Sequence, residues 1–215
     1  MRVVAIKGPT PRHVRPGREA EIYGLLNGCP DLFEKNTLFK VLSINLRTEK
    51  GPDFIAVNHK GHLIIGEVKR GGMPTGGWVQ AKRYAKMLGN MRESELEQYI
   101  ENRAAGKRPQ SLQGLTKGFL GPTARAAFFN PSRRRVQLIL VAEDFSDSIL
   151  RSATRARLGA RLRQLVRDVK CVQVRTYRVR SRSTFGIASV VSGRSRRLRI
   201  GQLTTACSRR RPVAF

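Results

Sequence analysis

The sequence predicts an α/β domain in which a central mixed β-sheet is flanked by helices. Runs of apolar and branched residues at 51–57, 62–70 and 136–142 are typical of strands, and the last of them reads as a central strand. A helical pattern follows over 146–167, and alternation predicts another strand over 169–179. A strand, a helix and a strand in succession favour a parallel pair.

The first two strands are expected to form an antiparallel hairpin. Asn58, His59, Lys60 and Gly61 separate them and give a tight-turn signal. Residues two apart on a strand point to the same face, so the charged pair near the end of the second strand shares one face. The pairing would also bring an acid at the start of the first strand to the same rim.

These charged residues are Asp53, Glu67 and Lys69. Carboxylates supply the hard oxygens that Mg²⁺ or Mn²⁺ prefers, and such an ion activates water and neutralises charge at a phosphate. Lys69 would orient or deprotonate that water, or hold the phosphate. The alternative is a surface hairpin with solvated charges. The three residues together in a hairpin favour a nuclease over that alternative.

The motif made by Pro52-Asp53 and Glu67-Val68-Lys69 resembles that of the PD-(D/E)XK nuclease superfamily. Gln80 and Tyr84, on the following helix, are similar to the QxxxY signature of its RecB-like and NucS-like branches. The resemblance is strongest to the catalytic domain of NucS-like endonucleases and covers residues 18–180. It implies a restriction-endonuclease-like form of the predicted sheet, and an endonuclease that hydrolyses DNA in repair, recombination or defence.

The same resemblance implies roles for single residues. Asp53 and Glu67 would hold Mg²⁺ or Mn²⁺, and Lys69 would position the attacking water. Gln80 and Tyr84, one helical turn apart, would lie beside the site and help to hold the substrate or order the lysine.

A further metal ligand is expected from a helix that begins near residue 18. Glu19 is preferred because it lies nearer the buried stripe of that helix, which contains Ile22, and Glu21 is the alternative. This helix, the hairpin, the Gln80 helix and the strand at 136–142 follow one another in the order that the resembled family shows.

The charge of the chain predicts a polyanionic partner. The formal net charge is +27, and residues 102–215 hold 26 basic and 4 acidic residues. Arginine contacts phosphate in a bidentate manner, so nucleic acid, and DNA in particular, is the expected partner, with an anionic membrane surface as the alternative. The residues expected to contact nucleic acid are Arg70, Arg83, Arg133, Arg134, Arg135 and Arg155.

The domain organisation is predicted from the resemblance together with composition. The resemblance implies a nuclease-like domain over residues 18–180. Composition predicts a proline-containing extension over residues 1–17 and a basic tail over residues 181–215, with one edge strand over 185–191 and a disordered end. The three cysteines are too widely spaced for a zinc site or a disulfide framework, which favours a cytoplasmic setting. No apolar run is long enough to span a bilayer.

Several questions stay open at the level of sequence. The glycine-rich stretch 71–77 would admit a phosphate backbone or serve as a plain connector, and Trp78 would stack on a base or anchor its helix. Residues 92–130 are expected to form short helices beside the site. A homodimer would allow both strands to be cut. The other functions considered are a non-cleaving or partner-dependent nucleic-acid-binding protein and an RNA-directed protein.

Overall fold

In the computed structural model of the protein, the described residues are 12–14, 22, 39–44, 51–102, 111–154, 157–179, 183–191 and 207–208. For 12–14, 39–44, 175–179, 183–191 and 207–208 only the backbone is described. Within these ranges one sheet contains eight strands. They are β1 (Arg12–Val14), β2 (Phe39–Ile44), β3 (Phe54–Asn58), β4 (Leu63–Gly72), β5 (Val136–Asp144), β6 (Val166–Val179), β7 (Ser183–Val191) and β8 (Cys207–Ser208).

The strand order is β2-β3-β4-β5-β6-β7-β8, and β1 pairs with β6 outside this path. Strands β2, β3 and β4 are antiparallel neighbours, whereas β4, β5 and β6 run parallel. Strand β7 returns antiparallel to β6. The predicted α/β class, the mixed sheet, the hairpin and the parallel pair are therefore confirmed.

The turn between β3 and β4 is held by Asn58. Its side-chain oxygen accepts hydrogen bonds from the backbone N–H groups of Lys60 and His62, both at 3.0 Å. Gly61 adopts a φ of 75°, and a Cβ there would lie 2.1 Å from the carbonyl oxygen of Ala124. Glycine is needed at this position for both reasons.

Six helices lie within the described ranges. They are α1 (Thr75–Asn90), α2 (Glu93–Glu101), α3 (Leu112–Thr116), α4 (Pro122–Phe129), α5 (Asp147–Ser152) and α6 (Ala160–Leu165). The main core lies between these helices and alternate residues of the strands, such as Leu63 and Ile65 on β4 and Leu138 and Leu140 on β5. Helix α1 packs on β4 and β5, and α6 packs on β6 and α1.

The continuous helix expected over 146–167 is wrong. Helix α5 ends at Ser152, and its C-cap Ala153 has a ψ of 50°, outside the helical region. Gly159, with a ψ of 156°, is the N-cap of α6. Because glycine is unfavourable in a helix interior, the segment around it forms the boundary between two helices. The following strand begins at Val166, three residues before the expected position.

The ends of the chain are described only in part. Ile22 is helical and fully buried, as expected of the stripe on its helix, and the rest of that helix lies outside the described residues. The strand predicted over 185–191 is present as β7, but it is not at the edge of the sheet, because Cys207–Ser208 pair with it. Residues 207–208, which were predicted to be disordered, form β8. The other residues predicted to be disordered also lie outside the described ranges. No helix found in those ranges is long and apolar enough to cross a membrane.

Candidate active site

Alternation along β3 and β4 positions the charged residues. Ile55 on β3 and Ile65 on β4 point into the core beneath the helices. Asp53 is two residues before Ile55, and Glu67 and Lys69 are two and four residues after Ile65. The period of two therefore carries the three charged side chains to the helical side of the sheet, where the core ends.

Asp53 is fixed by the neighbouring strand. Its carboxylate oxygen Oδ2 accepts a hydrogen bond from the backbone N–H of Val68 at 2.6 Å. Its own backbone N–H donates to the carbonyl oxygen of Gly66 at 3.0 Å. The backbone between Glu67 and Lys69 thus holds the carboxylate of Asp53 beside these residues.

Lys69 joins the two carboxylates. Its Nζ lies 2.7 Å from Oε1 of Glu67 and 3.6 Å from Oδ2 of Asp53. Because one ammonium contacts both groups, the distance between Oε1 of Glu67 and Oδ2 of Asp53 cannot exceed the sum of these two distances. The side chain of Glu67 is 3% exposed and that of Lys69 is 25% exposed, so the cluster is buried on one side and reaches solvent on the other.

Gly66 makes room for the ring of Phe54 on the face of the sheet opposite this cluster. It is paired with Phe54, and a Cβ on Gly66 would lie 1.8 Å from Cε1 of the Phe54 ring. The ring of Phe54 therefore occupies the space that a side chain at residue 66 would take. The next residues toward the rim are Asp53, which precedes Phe54, and Glu67 on β4, which follows Gly66.

Helix α1 contacts the segment that leads into Asp53. The hydroxyl oxygen of Tyr84 accepts a buried hydrogen bond from the backbone N–H of Gly51 at 3.1 Å. The guanidinium of Arg83 lies 3.4 Å from the same hydroxyl. Gln80, one turn before Tyr84, is half-buried. Tyr84 is thus placed next to the site, as expected, and its described contact is with the backbone.

Trp78 on α1 was expected either to stack on a base or to anchor the helix to the core. Its side chain is 4% exposed and belongs to the core, while Nζ of Lys82 lies 5.2 Å from the ring centroid. The structure therefore favours the anchoring role over base stacking.

The glycine-rich stretch after Lys69 is more ordered than a loop. Strand β4 continues to Gly72 and α1 begins at Thr75. Gly71 has a φ of 74°, and its N–H donates to Oε1 of Glu143 at 3.3 Å. A Cβ at Gly71 or Gly72 would meet no atom of the described residues within 4 Å, so this part of the structure leaves the surface at these two glycines open.

The arginines expected to contact nucleic acid occupy different places. Arg70 and Arg83 are exposed at the candidate site. Arg133 and Arg135 are also exposed, but they precede β5, whose first residue pairs with the first residue of β4. They therefore lie at the end of the sheet opposite Lys69. Arg155, Glu19 and Glu21 lie outside the described residues.

Arg134 does not fit the expected phosphate contact. It is fully buried, and its guanidinium donates to five backbone carbonyls. The acceptors are those of Leu88, Gly89, Met91, Phe128 and Phe129, at 2.7–3.4 Å. These carbonyls lie at the ends of α1 and α4, which need donors from outside the helix. Burial lowers the pKa of Arg134 to about 10, with Glu93 acting in the opposite direction.

The donor set at the rim suits a divalent cation. Asp53 and Glu67 offer hard carboxylate oxygens, and both already converge on one cationic group, the ammonium of Lys69. Among the described residues no group of three acids, histidines or cysteines could hold a metal ion. Glu19 and Glu21, the acids expected as the third ligand, lie outside the described residues.

Sequence reasoning missed three residues that support the site. Gly51 and Gly66 act through the backbone, and Glu143 holds Gly71 from β5. Pairing of β3 with β4 was predicted, and its register would have placed Gly66 opposite an aromatic residue. No protein-family model, curated protein or solved structure matches the chain.

Proposed function

We propose that the protein is a metal-dependent endonuclease that hydrolyses phosphodiester bonds in DNA. The observation that carries the proposal is the meeting of Asp53 and Glu67 around the ammonium of Lys69 at one rim of the sheet. Two acids and one amine in this arrangement suit the binding of a divalent cation and a phosphate together. A net charge of +27 adds attraction for a polyanionic substrate.

The order of elements supports a restriction-endonuclease-like fold. The β3–β4 hairpin carries the acidic motif, α1 follows with Gln80 and Tyr84, and β5 then lies parallel to β4. This succession is the one expected from the resemblance to PD-(D/E)XK nucleases. Ile22, helical and buried upstream of the hairpin, lies in the segment that would supply Glu19 or Glu21.

The residues of the candidate site would have the following roles. Asp53 and Glu67 would hold Mg²⁺ or Mn²⁺, which when bound lowers the pKa of water and polarises a phosphate. Asp53 keeps its orientation because Val68 donates to it. Lys69 donates hydrogen bonds to the attacking water or to a phosphate oxygen, and Arg70, exposed beside it, attracts the phosphate backbone.

The test is cleavage of supercoiled plasmid DNA in the presence of Mg²⁺. We expect the wild type to nick the plasmid, and Asp53→Ala and Lys69→Ala to be slower by about 100-fold or more, since both remove groups needed at the reacting phosphate. Asp144→Ala is the matched control, because Asp144 is an exposed acid at the same end of the sheet. Equal cleavage by all four proteins would contradict the proposal.

A non-cleaving nucleic-acid-binding protein is the second candidate. It is favoured by the presence of only two acids at the described rim and by the excess of basic residues. This protein would bind the plasmid without nicking it, and both site variants would bind as tightly as the wild type. The same assay with a gel-shift readout separates the two functions.

A further inference from the structure

Charges on the helical side of the sheet are segregated. Helix α1 carries three basic residues and no acid, and residues 157–167, which include α6, carry four arginines and no acid. Helix α2 has the opposite character, with four glutamates and no basic residue. The basic face is defined by five side chains on the first two segments, which are Lys82, Arg83, Lys86, Arg157 and Arg161.

We propose that the sugar-phosphate backbone of nucleic acid lies on this basic face and reaches the candidate site from the α6 side of α1. It would not pass over α2. The inference deepens the proposed function and rests on it, because it names the surface that brings substrate to Asp53, Glu67 and Lys69.

The two halves of the basic face are contiguous. Helices α1 and α6 pack directly, and a Cβ on Gly89 would lie 2.6 Å from Cδ2 of Leu165. Four of the five defining side chains are exposed and Lys82 is half-buried. Cations on two helices in close contact present their charges side by side, which suits the regular phosphates of a nucleic acid.

The basic face begins at the candidate site. The Cζ of Arg83 lies 5.2 Å from the ring centroid of Tyr84, and the Tyr84 hydroxyl binds the backbone of Gly51, two residues before Asp53. Nζ of Lys82 is held over Trp78 in the same way. Two buried aromatic rings therefore hold cations near the rim, which lowers the entropic cost of ordering them against phosphate.

The acidic helix lies on the other side of α1. Oε1 of Glu97 on α2 accepts a hydrogen bond from the N–H of Leu112 at the start of α3, and α3 packs on β2. Helix α6 packs on β6, toward the opposite edge of the sheet. Four glutamates on α2 repel phosphate, so charge alone gives the approach a direction.

An anionic membrane is the competing partner for such a surface. A helix that lies in a membrane interface needs a broad apolar face beside its cations. Within the described residues the exposed large hydrophobic side chains are Val79 and Met87. Two separate apolar residues do not form such a face, whereas arginine contacts phosphate without one.

The test compares two double variants that each remove two basic residues. Lys86→Gln with Arg161→Gln alters the basic face, and Lys60→Gln with Lys117→Gln removes two exposed cations, one in the β3–β4 turn and one after α3. Anisotropy of a fluorescent 20-base-pair duplex, titrated at several salt concentrations in EDTA, gives the affinity without cleavage. The basic-face variant should bind about tenfold or more weakly at 0.1 M salt, with a salt slope smaller by about 2.

The control variant should bind within twofold of the wild type. Equal affinities of all three proteins, or an equal loss in both variants, would overturn the inference. Binding of vesicles of phosphatidylserine and phosphatidylcholine that is lost only in the basic-face variant, with duplex binding intact, would assign the face to a membrane instead and also overturn it.

Direction is tested by photo-crosslinking. The residue p-benzoylphenylalanine replaces Val79, which is exposed on α1 and shares a face with Lys82 and Lys86, or Gln98, which is exposed on α2. Duplex DNA should crosslink to residue 79 and not to residue 98, and the reverse result would overturn the inference. Plasmid cleavage is scored separately, so an uncleaved plasmid with selective crosslinking refutes the nuclease and leaves the binding surface standing.

Discussion

Arg134 and Lys69 are both at least partly withdrawn from water, and their surroundings differ. Arg134 is fully buried and donates only to backbone carbonyls at the ends of two helices. Lys69 is 25% exposed and contacts the carboxylates of Glu67 and Asp53. One cation is enclosed by fixed dipoles, and the other lies between charged side chains at a rim.

The difference separates the structural role of Arg134 from the role proposed for Lys69. Carbonyl dipoles at Arg134 carry no net charge, and removal of the guanidinium leaves them buried without a donor. At the rim, two carboxylates face one ammonium, so the cluster carries a formal charge of −1 in a strongly basic chain. Such a cluster is suited to an additional cation, and solvent reaches it.

The largest expected effect is at Arg134. Arg134→Met should lower the free energy of unfolding by about 3 kcal/mol or more, because several buried carbonyls lose their donor. Urea denaturation of this variant and of Arg133→Met measures the contrast, and the exposed neighbour should change stability by about 0.5 kcal/mol or less. Similar losses in both variants would show that Arg134 does not act as a cap of the two helices.

The next effect tests the packing beneath the rim. Gly66→Ala should destabilise the protein by about 2 kcal/mol, because the new methyl group meets the ring of Phe54. Phe54→Leu in the same chain removes the obstructing ring and should recover part of the loss. A Gly66→Ala protein as stable as the wild type would show that the strands separate without cost.

A smaller effect is expected at the rim itself. Lys69→Met leaves the carboxylates of Asp53 and Glu67 together and should reduce stability at pH 7 by about 1–2 kcal/mol. Addition of Glu67→Gln should return most of that loss, because it removes the like-charge repulsion. If thermal or urea denaturation finds the double variant less stable than Lys69→Met, repulsion between the acids is not the cause.

The smallest effect concerns the link between α1 and the site. Tyr84→Phe removes the acceptor of the buried Gly51 N–H and should cost about 1 kcal/mol. Hydrogen exchange should show faster exchange at the Gly51 amide than in the wild type. Arg83→Met is the control, since it leaves the hydroxyl in place, and equal exchange in both variants would contradict the link.

The fold was predictable where local patterns decide it. Residues 58–61 combine turn formers between two apolar runs, so the hairpin followed from sequence alone. The break between α5 and α6 was not predicted, because apolar spacing continues across Gly159 and only the backbone shows that the helix ends. Parallel pairing of β4 with β5 also needed the structure, since these strands are far apart in sequence.

The candidate site was predictable to the same degree. Period-two alternation placed Glu67 and Lys69 together, and the hairpin register brought Asp53 to them. The different positions of Arg133, Arg134 and Arg135 were not predictable from sequence. Only Arg134 reaches the backbone carbonyls at the ends of two helices that are distant in sequence, and three identical neighbours carry no signal for this. Tyr84 was expected at the site, but its contact with a backbone N–H has no sequence signal.

The pairing of β1 with β6 has a consequence for how the protein forms during synthesis. Residues 12–14 lie against residues 176–178, so a segment that leaves the ribosome earlier pairs with one that is made much later. The pairing closes a loop across most of the domain, and such long-range contacts slow folding. The sheet therefore gains this strand only after translation has passed β6.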